Sequence, residues 1–148
     1  MHDHSPETLI PLALLSAASG ARTFAGVAAV SRRSPVPMLA AGELIYDKVP
    51  TVPSRLEPAL LFGRIAAGAL VGVVVGGRTR RSRARSAVVG GLVAFASAHA
   101  TYRMRRALSR RLPAVAAALI EDAFVVGAVV AGAALLQRTS ETRGLSIG

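Results

Sequence analysis

The side chains able to do chemistry are few, and most of them fall inside or beside apolar runs. Glu43 and Asp47 are four residues apart, so on a helix they project from one face. Lys48 adjoins Asp47 and can neutralise it. Glu121 and Asp122 are consecutive, which on a helix aims them about 100° apart. Arg22 and Arg64 each interrupt an otherwise apolar stretch, and His99 is the only histidine outside the N-terminal tail that holds His2 and His4. A carboxylate at mid-membrane costs at least about 2.5–3.5 kcal/mol. Such groups must therefore face inward, pair with bases, take up protons or meet water. In a functional reading, Glu43, Asp47, Glu121 and Asp122 line a polar path for ions or protons. His99 then relays protons, as a residue type that titrates near neutral pH. In a structural reading, Arg22 and Arg64 pair with the acids and lock the helices together, and His99 is an interhelical hydrogen bonder.

No catalytic set emerges. The chain has no Gly-x-Ser-x-Gly, phosphate-binding loop, His-Glu-x-x-His or dinucleotide fingerprint. The acids and His99 fit no standard metal spacing, so no catalytic residue, metal or cofactor is expected. A membrane enzyme ranks below both readings above.

The elements that must position these residues are apolar helices. A span needs roughly twenty mostly apolar residues. Residues 9–30 qualify, interrupted by Arg22, and so do residues 58–77, interrupted by Arg64. Residues 86–102 are slightly short, but flanking arginines can snorkel. Residues 113–137 qualify, with Glu121 and Asp122 near the middle. Residues 37–50 begin apolar, are too short to cross, and are stopped by Pro50 and Pro53. The second long span carries Gly68, Gly72 and Gly76, two successive Gly-xxx-Gly steps that let another helix approach closely. Gly127 and Ala131 repeat that small-xxx-small spacing, which favours packing inside the molecule.

Composition supports a bilayer. The chain is 52% hydrophobic but only 4% aromatic, with no Trp. Its apolar mass is Ala, Val, Leu and Gly, the palette of membrane helix interfaces. Net charge is +10, and every basic residue but Lys48 is Arg. The arginines sit in blocks between apolar runs, as in Arg32-Arg33, 78–85 and 103–111. That placement suits anionic lipid head groups rather than nucleic acid. With no cysteine there is neither disulfide nor thiol chemistry. The N-terminus lacks the basic region of a signal peptide, so the first apolar run is expected to remain.

The chain also repeats itself. Shifted by 78 residues, Ser19 meets Ser97, Thr23 meets Thr101, Phe24 meets Tyr102, Ser31-Arg32-Arg33 meets Ser109-Arg110-Arg111, and Glu43 meets Glu121. Past that point the offset drops to 64, where Glu57 meets Glu121 and Ala67-Gly68-Ala69 meets Ala131-Gly132-Ala133. One insertion, residues 44–57, reconciles the two registers. The first half then has a broken helix where the second has an unbroken one. Such breaks mark binding sites in transporters, while the plain alternative is an interfacial loop. If residues 37–50 do not cross, loops 31–37 and 103–113 share one face, with loop 78–85 and the C-terminal tail on the other. If they cross, five spans result and the halves are inverted. Neither arrangement gives a clear positive-inside bias, which leaves room for an antiparallel dimer.

Several motifs resemble those of one family of bacterial membrane proteins, catalogued as domain of unknown function 4126. Gly20-Ala21-Arg22-Thr23-Phe24 is similar to its Gly-x-Arg-x-Phe signature. Residues 43–50, from Glu43 through Asp47-Lys48-Val49-Pro50, resemble its Glu-x-x-x-Asp-Lys-[Ile/Val]-Pro motif. Ala98-His99-Ala100 and Glu121-Asp122 match its second-half His-Ala and Glu-Asp elements. The likeness covers roughly residues 9–137. Two departures stand out: the family's arm between halves is longer, and a basic residue follows the His-Ala pair more closely there. The resemblance implies fold and membrane location but no reaction.

The expectation is an all-α membrane protein, with about four transmembrane helices in two similar halves and a broken or re-entrant helix in the first. A polar tail over 1–8 precedes one helical domain over 9–137, with halves 9–77 and 86–137, and a second polar tail covers 138–148. The expected function is a transporter- or channel-like site for ions or protons, the alternative a non-catalytic accessory subunit of a membrane complex. Expected partners are anionic lipid and further copies of the chain, such as a dimer, and the expected location is the bacterial inner membrane, multi-pass.

Overall fold

The computed structural model describes residues 6–31, 58–79 and 81–145. Glu43, Asp47, Lys48, Glu57 and the expected break over 37–50 lie outside the described residues. Within them every regular element is a helix: α1 Pro6–Ala21, α2 Ala25–Val30, α3 Pro58–Arg78, α4 Arg83–Leu108 and α5 Ala114–Leu145. Two are long and apolar enough to cross a membrane, Pro58–Arg78 and Val115–Thr139, each with mean hydropathy 2.0, and Leu9–Ala21 is a shorter apolar helix. Helix α4 is longer than the expected 86–102, but its ends are arginine-rich. The expected C-terminal tail continues α5 as helix to Leu145.

The first apolar run does not form one span, contrary to expectation. Helix α1 closes at Ala21, with Arg22 N–H donating to Ala18 O at 2.8 Å. After a turn over Arg22-Thr23-Phe24, α2 folds back along α1. Gly26 permits this close reversal. A Cβ there would lie 2.1 Å from both Leu15 O and Ser19 Oγ. The 78-residue shift pairs Gly26 with Met104, whose side chain leaves no such room, and α4 runs straight through that point. The reversal also moves the end of this segment. Arg78 Nη2 donates to Val30 O at 2.9 Å, so Val30 lies beside the α3–α4 turn. Ser31 therefore stands at the α3–α4 end of the bundle and not at the end where 109–113 turns, while the rest of loop 31–37 lies outside the described residues.

Arginines of α3 complete both helix ends. The last carbonyls of a helix have no intrahelical donor and carry the negative end of its dipole. Arg64 Nη1 donates to Gly20 O at 3.1 Å, near the C-terminus of α1. Arg78 does the same for α2. Buried backbone groups that a break would orphan are thus satisfied from within the protein.

Helices α3 and α4 form the tightest pair, an antiparallel hairpin built on glycine. Cβ atoms at Gly68, Gly72 and Gly76 would collide with Gly90 and Ala94, with Ser86, and with Ser86 again, so these positions do pack internally. Gly127 does not: it is exposed, and a Cβ there meets nothing within 4 Å among the described residues. Among the described residues α5 instead turns Ala128 and Gly132 toward the core, Gly132 against α1.

Helix α1 sits between the others. It runs parallel to α4: a Cβ on Gly90 would lie 3.1 Å from Ser16 Oγ and one on Gly20 would lie 2.8 Å from Ser97 Cβ, with Ser97 Oγ donating to Ala17 O at 2.8 Å. It is antiparallel to α5, since Arg22 meets Asp122 while Leu12 and Leu136 share one buried cluster. Large side chains gather there as Leu12, Leu15, Val30, Val71, Val75 and Leu136. Nearer the break the core is Ala18, Ala21, Val125 and Ala128. Many of the large apolar side chains point outward instead: Phe62, Leu92, Val115 and Val130 are 72%, 64%, 68% and 62% exposed.

Candidate functional site, a buried charged layer at the helix break

The turn after α1 brings its one charged residue into the protein. Arg22 is 1% exposed and reaches Asp122 of α5 through Nη2 and Oδ1. Asp122 is the less enclosed partner, with 15% of its side chain accessible. One residue earlier, Glu121 is fully buried and turns the other way, to Arg105 of α4, with Nη1 3.6 Å from Oε2. The divergence of adjacent residues around a helix thus lets α5 grip α1 with one carboxylate and α4 with the next. Arg64, 5% exposed, adds α3 to the same level through Gly20 O.

Three arginines and two carboxylates, from the α1–α2 turn and helices α3, α4 and α5, therefore form one charged layer, largely buried but open at Arg105. Its position is off centre. In the candidate span Val115–Thr139 the two acids lie about 8 Å from the midpoint at 1.5 Å per residue, toward the α4–α5 turn. In a span drawn from Pro113 to Gln137, as the apolar run alone suggests, they lie nearer the middle.

Hydroxyls lie close to this layer. Ser16 and Ser19 are fully buried on α1, and their Oγ atoms have no hydrogen-bond partner among the described residues. Thr101 Oγ1 donates to Ser97 O at 2.8 Å, satisfying itself on its own helix.

The structure brings together Arg22, Arg64, Glu121 and Asp122 of the expected site. His99 takes another role: its Nδ1 lies 3.0 Å from Phe95 O, and its ring packs on Phe95 at 4.4 Å between centroids. Arg105 is the member the sequence hides, because it stands in an arginine block over 103–111 that suits lipid head groups. The signal that finds it is the extent of α4. Once that helix runs to Leu108, the antiparallel turn over 109–113 brings its last turns against the first turns of α5. Among the described residues no three metal-ligating side chains converge.

No family model, curated protein or solved structure matches this chain.

Proposed function

We propose that this chain is a small multi-pass protein of the bacterial inner membrane, transporter- or channel-like, in which the charged layer gates the passage of protons or small ions. The carrying observation is the break between α1 and α2, with buried Arg22 ion-paired to Asp122 at its turn. Interrupted helices whose ends meet charge at membrane depth are how several transporter folds build their sites. Membrane residence is supported by the inside-out distribution of side chains. Alanine and glycine fill the interfaces while Phe62, Val88, Leu92 and Val130 face outward. Lipid accepts such a surface, and water does not. The family resemblance of the Gly-x-Arg-x-Phe and Asp-Lys-Val-Pro motifs points to the same location. The parallel course of α1 and α4, which the repeat equates, favours two halves related about the membrane normal over inverted halves.

Mechanistically, an ion crossing the layer must displace one of two ion pairs. A proton entering Asp122 or Glu121 would discharge the carboxylate and release its arginine, loosening α1 or α4 from α5. The test is flux in proteoliposomes under an imposed proton or potassium gradient. Wild-type protein is expected to dissipate the gradient faster than empty vesicles, and Asp122→Asn to change that rate about tenfold or more, the value of 1.4 kcal/mol in a barrier. Vesicles that leak no faster than empty ones would overturn the proposal.

The accessory-subunit reading also has its own support, because both acids of the charged layer are already held by arginine. It is favoured if flux is absent and purification in mild detergent co-isolates other membrane chains in fixed ratio. A homo-oligomer would have a ready seam along α5, where Ala123, Gly127 and Ala131 form an exposed stripe of small residues.

A further inference from the structure

Away from the charged layer, the α3–α4 hairpin carries a concave feature on its outer face. Ile65 and Ala69 of α3 and Val88, Gly91, Leu92 and Phe95 of α4 line a groove of about 510 Å³ with apolar walls. Gly91 makes the groove. A Cβ there would meet Ile65 Cγ2 at 3.5 Å and Ala69 Cβ at 3.8 Å, ordinary contact, so glycine is not demanded by helix packing. The missing side chain leaves a trough between two helices that elsewhere touch backbone to backbone. Val88 and Leu92, 62% and 64% exposed, form its rim.

One end of the groove is cationic. Residues 85, 88, 92, 95 and 99 recur at three- and four-residue spacing and share one face of α4. The stripe therefore begins at Arg85, continues through the groove, and ends at His99 on Phe95. Arg83 stands half a turn before Arg85, with its Nε 3.1 Å from where a Gly77 Cβ would lie. Arg81 precedes them in the turn, and no acidic residue falls in the first turn of α4. An apolar slot running inward from exposed guanidinium groups at a helix end complements a molecule with an acyl chain and an anionic head.

We infer that this groove binds one anionic phospholipid, its acyl chain in the trough beside Gly91 and its phosphate on Arg83 and Arg85. The inference rests on the membrane reading above and is independent of transport. The chain choice follows from the all-apolar lining, and the head-group choice from the arginines. Arginine at a membrane surface is worth about fivefold in affinity for anionic lipid, from roughly 1 kcal/mol per charge.

Native mass spectrometry of the full chain tests this, with detergent micelles carrying phosphatidylglycerol or phosphatidylcholine of identical acyl chains. Wild-type protein is expected to retain one phosphatidylglycerol and to prefer it over phosphatidylcholine by about tenfold or more, given two arginines. The double variant Arg83→Gln/Arg85→Gln, at exposed positions, is expected to lose that preference while still binding lipid weakly. Gly91→Leu fills the trough and is expected to abolish retention of either lipid, with thermal unfolding in detergent checking that it folds. Equal retention of both lipids by wild type, or unchanged retention by the Gly91→Leu and double variants, overturns the inference. So does a dimer that Gly91→Leu splits, because the groove's occupant is then a second copy. Recovery of the chain in the soluble fraction without detergent would fail the membrane reading itself and is a distinct result.

Discussion

Removing one arginine of the charged layer leaves a carboxylate buried without its base, and that asymmetry fixes what point mutations do. Breaking a buried ion pair from one side costs about 3–5 kcal/mol, whereas replacing both partners by apolar groups is often near neutral. Arg22→Ala and Asp122→Ala are each expected to destabilise the protein by several kcal/mol. The double variant Arg22→Leu/Asp122→Leu should recover most of that loss in thermal or denaturant unfolding in detergent. Additive losses would mean the pair does not act as a unit. A second residue-scale expectation concerns Gly26, where α2 lies against Leu15 O and Ser19 Oγ. Gly26→Leu should lower stability by about 1–3 kcal/mol through overpacking, read as a fall in the unfolding midpoint. The acid pair was legible in the sequence as consecutive carboxylates in an apolar run, and so was the need for basic partners. Which bases serve was only half legible. Arg22 announces itself as a charge inside an apolar stretch, as does Arg64, which meets the Gly20 carbonyl, but Arg105 sits in an arginine block whose other members face outward.

Between elements, glycine spacing decides which helices touch. Gly68, Gly72 and Gly90 place backbone on backbone in the α3–α4 hairpin, with Cβ positions that would fall within 2.1–2.6 Å of neighbouring atoms. Gly68→Val or Gly72→Val must push the helices apart, and each is expected to cost about 1–3 kcal/mol or prevent folding. Gly63 offers the internal control: it lies in the same helix with nothing within 4 Å among the described residues. Gly63→Ala is expected to be neutral or to stabilise by up to about 1 kcal/mol, from helix propensity alone. Parallel unfolding curves of these variants distinguish contact from propensity. The Gly-xxx-Gly spacing showed this hairpin in advance, because close approach depends on residue size and helical period only. The reversal after Arg22 was not visible by the same means. Residues 9–30 have the length and apolarity of one span, and a single glycine four positions past the arginine is a weak mark of a turn. Under the 78-residue shift, Gly26 falls opposite Met104, and that contrast is where the sequence hints at the difference.

At the scale of the whole molecule, helix directions make a topological prediction that cysteine chemistry can read directly, since the chain has no native cysteine. Helix α3 ends and α4 begins at the turn over 79–82, α4 ends and α5 begins at 109–113, and α5 returns alongside α1 to its C-terminal end. Helices α3, α4 and α5 span 21, 26 and 32 residues, or about 30, 40 and 50 Å at 1.5 Å per residue, so each is long enough to traverse the hydrocarbon core. If all three cross, Ser82 and Arg138 lie on one side of the membrane and Ser109 on the other. Single variants Ser82→Cys, Arg138→Cys and Ser109→Cys are therefore expected to label in two classes with an impermeant maleimide applied to intact cells, the first two together and the third opposite. Re-entry is tested by Ser31→Cys, with Thr23→Cys at the α1–α2 turn as the buried reference. Gly20 meets Arg64 six residues into α3, which places the turn about 9 Å short of that helix's end. A cysteine there should resist labelling from either side, whereas a straight span over residues 9–30 would leave it equally buried but expose Ser31→Cys on the face of Ser109. The fold-back instead puts Ser31 beside Arg78 and on the face of Ser82. Labelling of Ser31→Cys with Ser82→Cys supports the reversal. Labelling with Ser109→Cys would mean that the first apolar run crosses after all and that the charged turn is not a break.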